Sequence, residues 1–470
     1  MIDVFPFAGF PVALMGLGKS GMASAKALIA SGAEVWAWDD SIERRAEAEA
    51  AHVPLVDLYE KDLREATTIV WSPGIPHSYP KPHPIAARAR AAGLEIICDV
   101  ELLARSQRGA SYVGITGTNG KSTTTALVGH ILSLAGRRVE TGGNLGTPAL
   151  ELQPLGEEGI YVLEMSSYQL ELTLSITFDI GVLTNISPDH LDRHGGLAGY
   201  IEAKKRIFHR QTAPRTAVVG VDDAASRAIY DELAARAEQR VVPISAEAPI
   251  AAGVYVSGGR LVDDTQGLRS EVADLAKMPT LPGRHNWQNA AAAYAATRAA
   301  GVHPTVIAAC LGSFPGLAHR QELVAVIDGV RYVNDSKATN ADAAAKALVC
   351  YERIYWIAGG RAKEGGIEAL APHFGRIVHA YLIGEAAETF AKTLTGMVRF
   401  TLARTLATAL EAASRDAGRE LGEGAVVLLS PACASWDQFA NFEARGEAFK
   451  ALVAALPGRR EHPVQAEAAP

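Results

Sequence analysis

Cysteine is scarce: Cys98, Cys310, Cys350 and Cys433 are the 4 in a chain of 470 residues, far apart and with no C-x-x-C pair. Such spacing excludes a disulfide framework and a zinc knuckle, and it fits a reducing cytoplasm. Long apolar runs are missing too. No uncharged stretch approaches the roughly 18 residues that span a bilayer. The apolar start carries no basic segment and is broken by Asp3, Gly16 and Gly18, so neither a signal peptide nor membrane insertion is expected. Clusters of positive charge are absent as well. The formal charge is −7 and Lys and Arg are scattered, which leaves no electrostatic footprint for a nucleic-acid partner.

What is present is core-forming material, with 48% apolar and 21% charged residues. A chain this long exceeds what one core organises, so two or three domains are expected. Short apolar strands alternate with helical stretches in three successive sets. The first runs from PVALMGLG to LEIICD, the second begins at SYVGITGTNGKS, and the third begins near Phe314-Pro315-Gly316 and contains RYVNDS, RIYWIAGG and AVVLLSPA. Alternation of this kind predicts an α/β fold with mostly parallel sheets, whose ligands bind at loops after the strands. From Gly458 the tail is polar and has nothing to bury, so it is expected to be disordered.

Two glycine loops follow strands. Gly16-Leu17-Gly18-Lys19-Ser20-Gly21 fits G-x-G-x-x-G, with Asp39 closing the next strand at about the spacing expected of a ribose ligand. Taken alone it suits NAD, another nucleotide diphosphate such as a UDP compound, or a structural turn. Gly117-Thr118-Asn119-Gly120-Lys121-Ser122-Thr123 is more specific. Its amides can cradle phosphates, Lys121 can reach the outer phosphoryl oxygens, and Ser122 can ligate Mg²⁺. It departs from the usual spacing, because Ile115 stands where the first glycine belongs. Glu164, at a strand end one unit later, is placed as a Mg²⁺ ligand or as a solvated strand-end carboxylate. The run Thr184 to Gly195 packs many donors into one loop, His190 among them.

These segments occur together: GTNGKST, EMSSYQLE, NISPDHLDRHG and YIEAKKRIF follow in an order and spacing that resemble the Mur ligase family over essentially the whole chain. The C-terminal third carries NDSKATN, SPACASWDQF and Asn441-Phe442-Glu443 with Arg445-Gly446, where other members carry an Asp-Tyr-Ala-His type motif. That pattern resembles the members that add D-glutamate to UDP-N-acetylmuramoyl-L-alanine. Addition of L-glutamate to the same acceptor is the alternative, and outside the family the rivals are an NAD-dependent dehydrogenase and a silent nucleotide-binding scaffold.

The resemblance implies three tandem α/β domains: a Rossmann-like UDP-binding domain over 1–98, a central P-loop-type ATPase domain over 99–315, a Rossmann-like domain over 316–458, and the tail 459–470. It implies ATP, two Mg²⁺ ions and a monomer in the cytoplasm making peptidoglycan precursor. ATP contacts are implied at the loop 117–123 and at Asn286, Asn289, Arg320 and Asp335. UDP-substrate contacts are implied at Gly18, Lys19, Ser20, Gly21, Ser72, Pro73, Gly74, Asn144 and His190. D-glutamate contacts are implied at Thr339, Lys363, Ser435 and Phe442. Lys204 matches the lysine carbamylated in the family, with adjacent Lys205 as the competing register. A free lysine is a cation, and CO₂ addition turns it into an oxygen donor for a hard metal. Metal ligands are thus expected at Ser122, Glu164, His190 and carbamylated Lys204, and catalysis at Lys121, Lys204, His190 and Arg320. One departure stands out: Asp40-Ser41 occupy positions where the family pattern has threonine and arginine, which leaves a diphosphate-pairing arginine missing.

Overall fold

Strand Pro11–Met15 is buried along nearly its whole length, as expected of a parallel strand covered on both faces. In the computed structural model, which describes residues 1–144, 146–362, 366–419 and 424–461, it forms β1 of a parallel sheet with β2 (Glu34–Trp38), β3 (Thr68–Trp71) and β4 (Glu95–Ile97) in the order β2-β1-β3-β4. Val12 lies beside Val35 on one side and Thr68 on the other. The chain then runs through β5 (Ser111–Thr116), β6 (Val139–Gly143), β7 (Ile160–Glu164), β8 (Ile180–Leu183), β9 (Thr216–Gly220), β10 (Arg240–Ser245), β11 (Val254–Ser257), β12 (Arg260–Asp263) and β13 (Ser270–Asp274). Their order is β13-β12-β11-β10-β9-β8-β5-β7-β6. Only the β11–β12 and β12–β13 pairings are antiparallel. Strand β5 sits between β7 and β8, so the loop after it opens where the winding reverses, the usual ligand position.

The third sheet holds β14 (Glu322–Ile327), β15 (Val330–Asn334), β16 (Ile354–Gly359), β17 (Ile377–Ile383), β18 (Phe400–Arg404), β19 (Val426–Leu429) and β20 (Arg460–Glu461), in the order β18-β17-β16-β19-β15-β14-β20. Side chains alternate across it. Ile354, Trp356 and Ala358 enter one core while Tyr355 and Ile357 enter the other, as a strand period of two requires.

The chain divides into two compact units: Met1–Leu275 with Asn286–Leu311, and Ala276–His285 with the described residues from Gly312 onward. The first unit contains both of the first two sheets, which share a core. The tail corrects an expectation at 459–461. Arg459 and Asp328 exchange hydrogen bonds, and Arg460 and Glu461 pair with Ile327 and Val326, because the outer edge of β14 offers unpaired backbone groups. Residues 462–470 of the same expected tail lie outside the described residues. Among the described residues no helix is long and apolar enough to cross a membrane.

Helix Asp99–Ser106 joins the first two sheets. Its fully buried Glu101 accepts the amides of Leu174 and Ser175 and pairs with Arg105 at 2.8 Å. Replacing Glu101 by Leu strands these donors, so chemical denaturation is expected to show a loss of about 3 kcal/mol.

Candidate active site

The loop 117–120 leaves β5 and enters helix Lys121–Leu134 through Gly120 at φ +84°. A side chain at Gly120 would strike the amide oxygen of Asn289, so glycine is required there on both conformational and steric grounds. The loop is locked to the one after β8. The Thr118 amide donates to the Asn185 carbonyl at 2.9 Å, the Asn119 amide to Asn185 Oδ1 at 2.9 Å, and Thr184 Oγ1 to the Asn119 carbonyl at 2.7 Å. Lys121 Nζ folds back onto the carbonyls of Gly117 and Thr118, 3.0 Å each. Ser122 is buried, and Asn286 and Asn289 are buried side by side at 3.2 Å on one helix, with Asn289 against Gly120 of the loop. Gln288, from the same helix, bonds Asn185 Nδ2 at 3.0 Å.

Glu164, at the end of β7, is only 3% exposed. This overturns the solvated alternative. Its Oε1 accepts from Asn144 Nδ2 at 2.9 Å, and among the described residues no ion pair balances it. Lys204 is 1% exposed and its Nζ donates to the Gly117 carbonyl at 2.8 Å, with the ring of Tyr200 4.7 Å away. Burial, and then the positive charge of Lys121, hold its pKa well below the usual lysine value, against the opposing pull of Asp189 and Glu164. The competing Lys205 instead pairs with Glu232 at 2.7 Å. His190 is half-exposed at φ +50°, beside Asp189 and 5.2 Å from the ring of Tyr168. No group of three or more His, Cys, Asp or Glu side chains able to hold a metal is assembled among the described residues. Close to Lys204 are the Thr116 hydroxyl at 3.5 Å and the charges of Glu164 and Asp189, and their oxygen chemistry fits a hard cation.

The first glycine loop is held from below. A side chain at Gly21 would collide with the Gly16 carbonyl. Asp39 takes the Leu17 amide at 2.7 Å and the Ser41 amide at 2.9 Å, so the acidic residue that suggested a ribose closes the loop instead. Ser20 lies in the helix that follows, bonded through its carbonyl to Ser24, and Lys19 Nζ reaches the Gly146 carbonyl at 2.7 Å. Arg44 was not legible as a site residue. One turn into the helix capped by Ser41, its Nη1 lies 3.4 Å from Asp39 and 3.6 Å from where a Cβ on Gly18 would be. Ser72 follows β3 with its amide on Met15, and the carbonyls of Pro73 and Gly74 accept from Arg193 at 3.4 and 3.0 Å.

In the second unit Asp335, at the end of β15, is buried and accepts from Ser430 Oγ at 2.8 Å and the Gln321 amide at 3.1 Å. Burial raises its pKa to about 7 in spite of these bonds and of neighbouring Arg320. Ser336 Oγ donates to the Phe442 carbonyl at 2.8 Å, and buried Arg445 grips Ser336 and the Cys433 carbonyl. Ser435 is buried and caps the turn to Phe439, and the Thr339 amide bonds the Lys337 carbonyl at 2.8 Å. Thr339 and Ser435 therefore sit on loops, and Phe442 at the start of helix Phe442–Ala454, that meet through Ser336 and Arg445. Lys363 lies outside the described residues.

Fold and loops together define an α/β enzyme class built around a glycine–lysine phosphate loop. Residues 115–297 match the Mur ligase middle domain, and 319–433 the Mur ligase glutamate ligase domain. The chain is 55% identical over 465 residues to a UDP-N-acetylmuramoylalanine–D-glutamate ligase of Rhodospirillum rubrum, covering 98% of each. It is 52% identical to that of Caulobacter vibrioides, covering 97% and 98%. Among solved structures it shares the fold of a UDP-N-acetylmuramate–alanine ligase of Thermotoga maritima, at TM-score 0.56 and 16% identity over 95% and 99% of the two chains. The chain belongs to the Mur ligase family, and within it groups with the UDP-N-acetylmuramoylalanine–D-glutamate ligases.

Because Asp335 binds its proton more tightly folded than unfolded, its burial costs nothing below about pH 4 and most above about pH 7. Asp335→Asn is therefore expected to raise the melting temperature of the nucleotide-free protein at about pH 8, with the gain shrinking as the pH falls toward 4.

Proposed function

We propose that the chain is an ATP-dependent ligase that activates the carboxylate of UDP-N-acetylmuramoyl-L-alanine as an acyl phosphate and joins it to the amine of D-glutamate, in peptidoglycan precursor synthesis. Relatives at half identity or more over nearly the full length support this reading most strongly, and their names favour D- over L-glutamate. Free thiols and nucleotide substrates fit a cytoplasmic reaction.

A carboxylate resists attack by an amine because its charge is delocalised, so it must first acquire a leaving group. In this reading the acceptor carboxylate attacks the γ-phosphorus of ATP and ADP leaves. The amine then attacks the acyl carbon, phosphate leaves, and the amine proton passes to solvent. Backbone amides of 117–123 cradle the phosphates, and Lys121 and Arg320 offset charge on the transferred group. Asn286, Asn289 and Asp335 take the nucleoside side. Gly18 to Gly21, Ser72 to Gly74 and Asn144 receive the UDP-sugar, and Arg44 supplies beside Gly18 the cation missing at 40–41. Thr339, Lys363, Ser435 and Phe442 hold the glutamate, the two hydroxyls and the ammonium being suited to its carboxylates.

Ser122 and Glu164 would hold one Mg²⁺, and His190 and carbamylated Lys204 a second. Bound there, the ions would neutralise developing phosphate charge. The lysine's surroundings support carbamylation. A neutral amine keeps the lone pair that attacks CO₂, and one N–H proton is lost as the carbamate forms.

Phosphate release from ATP in the presence of the UDP-sugar acceptor is expected with D-glutamate and not with L-glutamate, L-alanine or diaminopimelate. Lys121→Ala is expected to reduce it on the order of 10³-fold. Equal release with L-glutamate would replace the stereochemical assignment, and release with none would refute the ligase.

A further inference from the structure

Two motifs carry residues that play no part in the reaction above. They are Glu171, at the end of EMSSYQLE, and Arg193 and His194 within NISPDHLDRHG. All lie in the first unit. Glu171 is a half-buried carboxylate whose two oxygens are taken by imidazoles from different loops. Oε2 meets His77 Nε2 at 3.0 Å and Oε1 meets His194 Nδ1 at 2.9 Å. His77 belongs to the segment after β3 that begins Ser72-Pro73-Gly74, and its other ring nitrogen lies 3.2 Å from Arg90 Nη2. His194 is fully buried, its second nitrogen lies 2.9 Å from Ser167 Oγ, and its ring stacks on Tyr168 at 5.2 Å. Burial would raise the Glu171 carboxyl, yet the two imidazole hydrogen bonds outweigh it and bring its pKa down to about 2.

The same two loops are joined a second time. Arg193 donates to the carbonyls of Pro73 and Gly74 and lies 4.5 Å over the Tyr168 ring. His190 stands only a few residues upstream, half-exposed and in a left-handed backbone conformation, and its carbonyl accepts the Arg193 amide at 3.0 Å. Its place relative to the 72–77 loop is therefore set by the anchors that follow it.

We propose that Glu171, with His77 and His194, is a positioning clasp that fixes the loop receiving the nucleotide sugar against the loop carrying His190, and that it thereby sets affinity for that substrate. The proposal rests on the reaction assigned above. Neither Glu171 nor His77 touches the reacting atoms in that scheme, so the expected signature is selective.

The test is steady-state kinetics on the full chain for His77→Phe, Glu171→Ala and Glu171→Gln, with direct calorimetric binding of the UDP-sugar acceptor. His77→Phe and Glu171→Ala are expected to raise KM and the dissociation constant for the nucleotide sugar roughly tenfold, as losses of supporting contacts do. KM for D-glutamate should change by less than about twofold, and the melting temperature by less than about 4 °C. Glu171→Gln, which keeps an acceptor and a donor, should recover part of the loss. Unchanged nucleotide-sugar affinity in His77→Phe would overturn the clasp, as would a parallel rise in both KM values. A wild-type protein that neither binds nor turns over the nucleotide sugar would remove the parent reaction, and the clasp's role with it.

Discussion

The arrangement of the first unit depends on one buried contact, the amine of Lys204 against the carbonyl of Gly117. A lysine head group out of water and without a carboxylate is costly as a cation, and the neighbouring Lys121 adds repulsion. Burial therefore favours loss of the ammonium proton. The amine lies under the phosphate loop and next to Tyr200, whose hydroxyl meets Thr118 at 3.0 Å. The loop, the aromatic ring and the lysine thus fix one another, and Glu164 and Asp189 pull the other way, so an anionic group in place of the amine would need a cation between it and these carboxylates.

Around that contact the polar groups of three loops are shared. Asn185 serves two amides of the phosphate loop and the side chain of Gln288. Thr118 serves Tyr200 and Ser187. Interlocking of this kind leaves little freedom for the loop to reorganise when phosphate charge arrives, and catalysis by fixed dipoles requires that rigidity. On the substrate side the same economy recurs, with Asp39 holding the glycine loop shut while Arg193 and Glu171 tie the loop after β3 to the rest of the unit.

Much of this is legible in the amino-acid sequence. Strand–loop–helix alternation announces the α/β sheets because parallel strands are apolar throughout, and the glycine–lysine loop announces itself by composition. The difference between Lys204 and Lys205 is not legible, since adjacent lysines in a helix differ only in the side they face, and the structure buries one and pairs the other with Glu232. Glu164 is ambiguous for the same reason. Asp39 misleads towards a ribose because its spacing from Gly16 is the same whether it binds a ligand or the loop's own amides. Arg44 is invisible because a helical turn, not sequence adjacency to Asp39, brings it to Gly18. The pairing of Arg460 with Ile327 escapes composition entirely, since an edge strand recruits its partner through backbone groups that any residue has.

Carbamylation of Lys204, whose burial favours loss of its proton, is the chemistry proposed for this contact. Its most direct test is carbon NMR of the full protein equilibrated with isotopically labelled bicarbonate, compared with a Lys204→Gln variant. A slowly exchanging carbamate resonance is expected in the wild type, strengthened by Mg²⁺ and absent from the variant. A spectrum without that resonance at any bicarbonate concentration, or one that survives in the variant, would contradict carbamylation of Lys204.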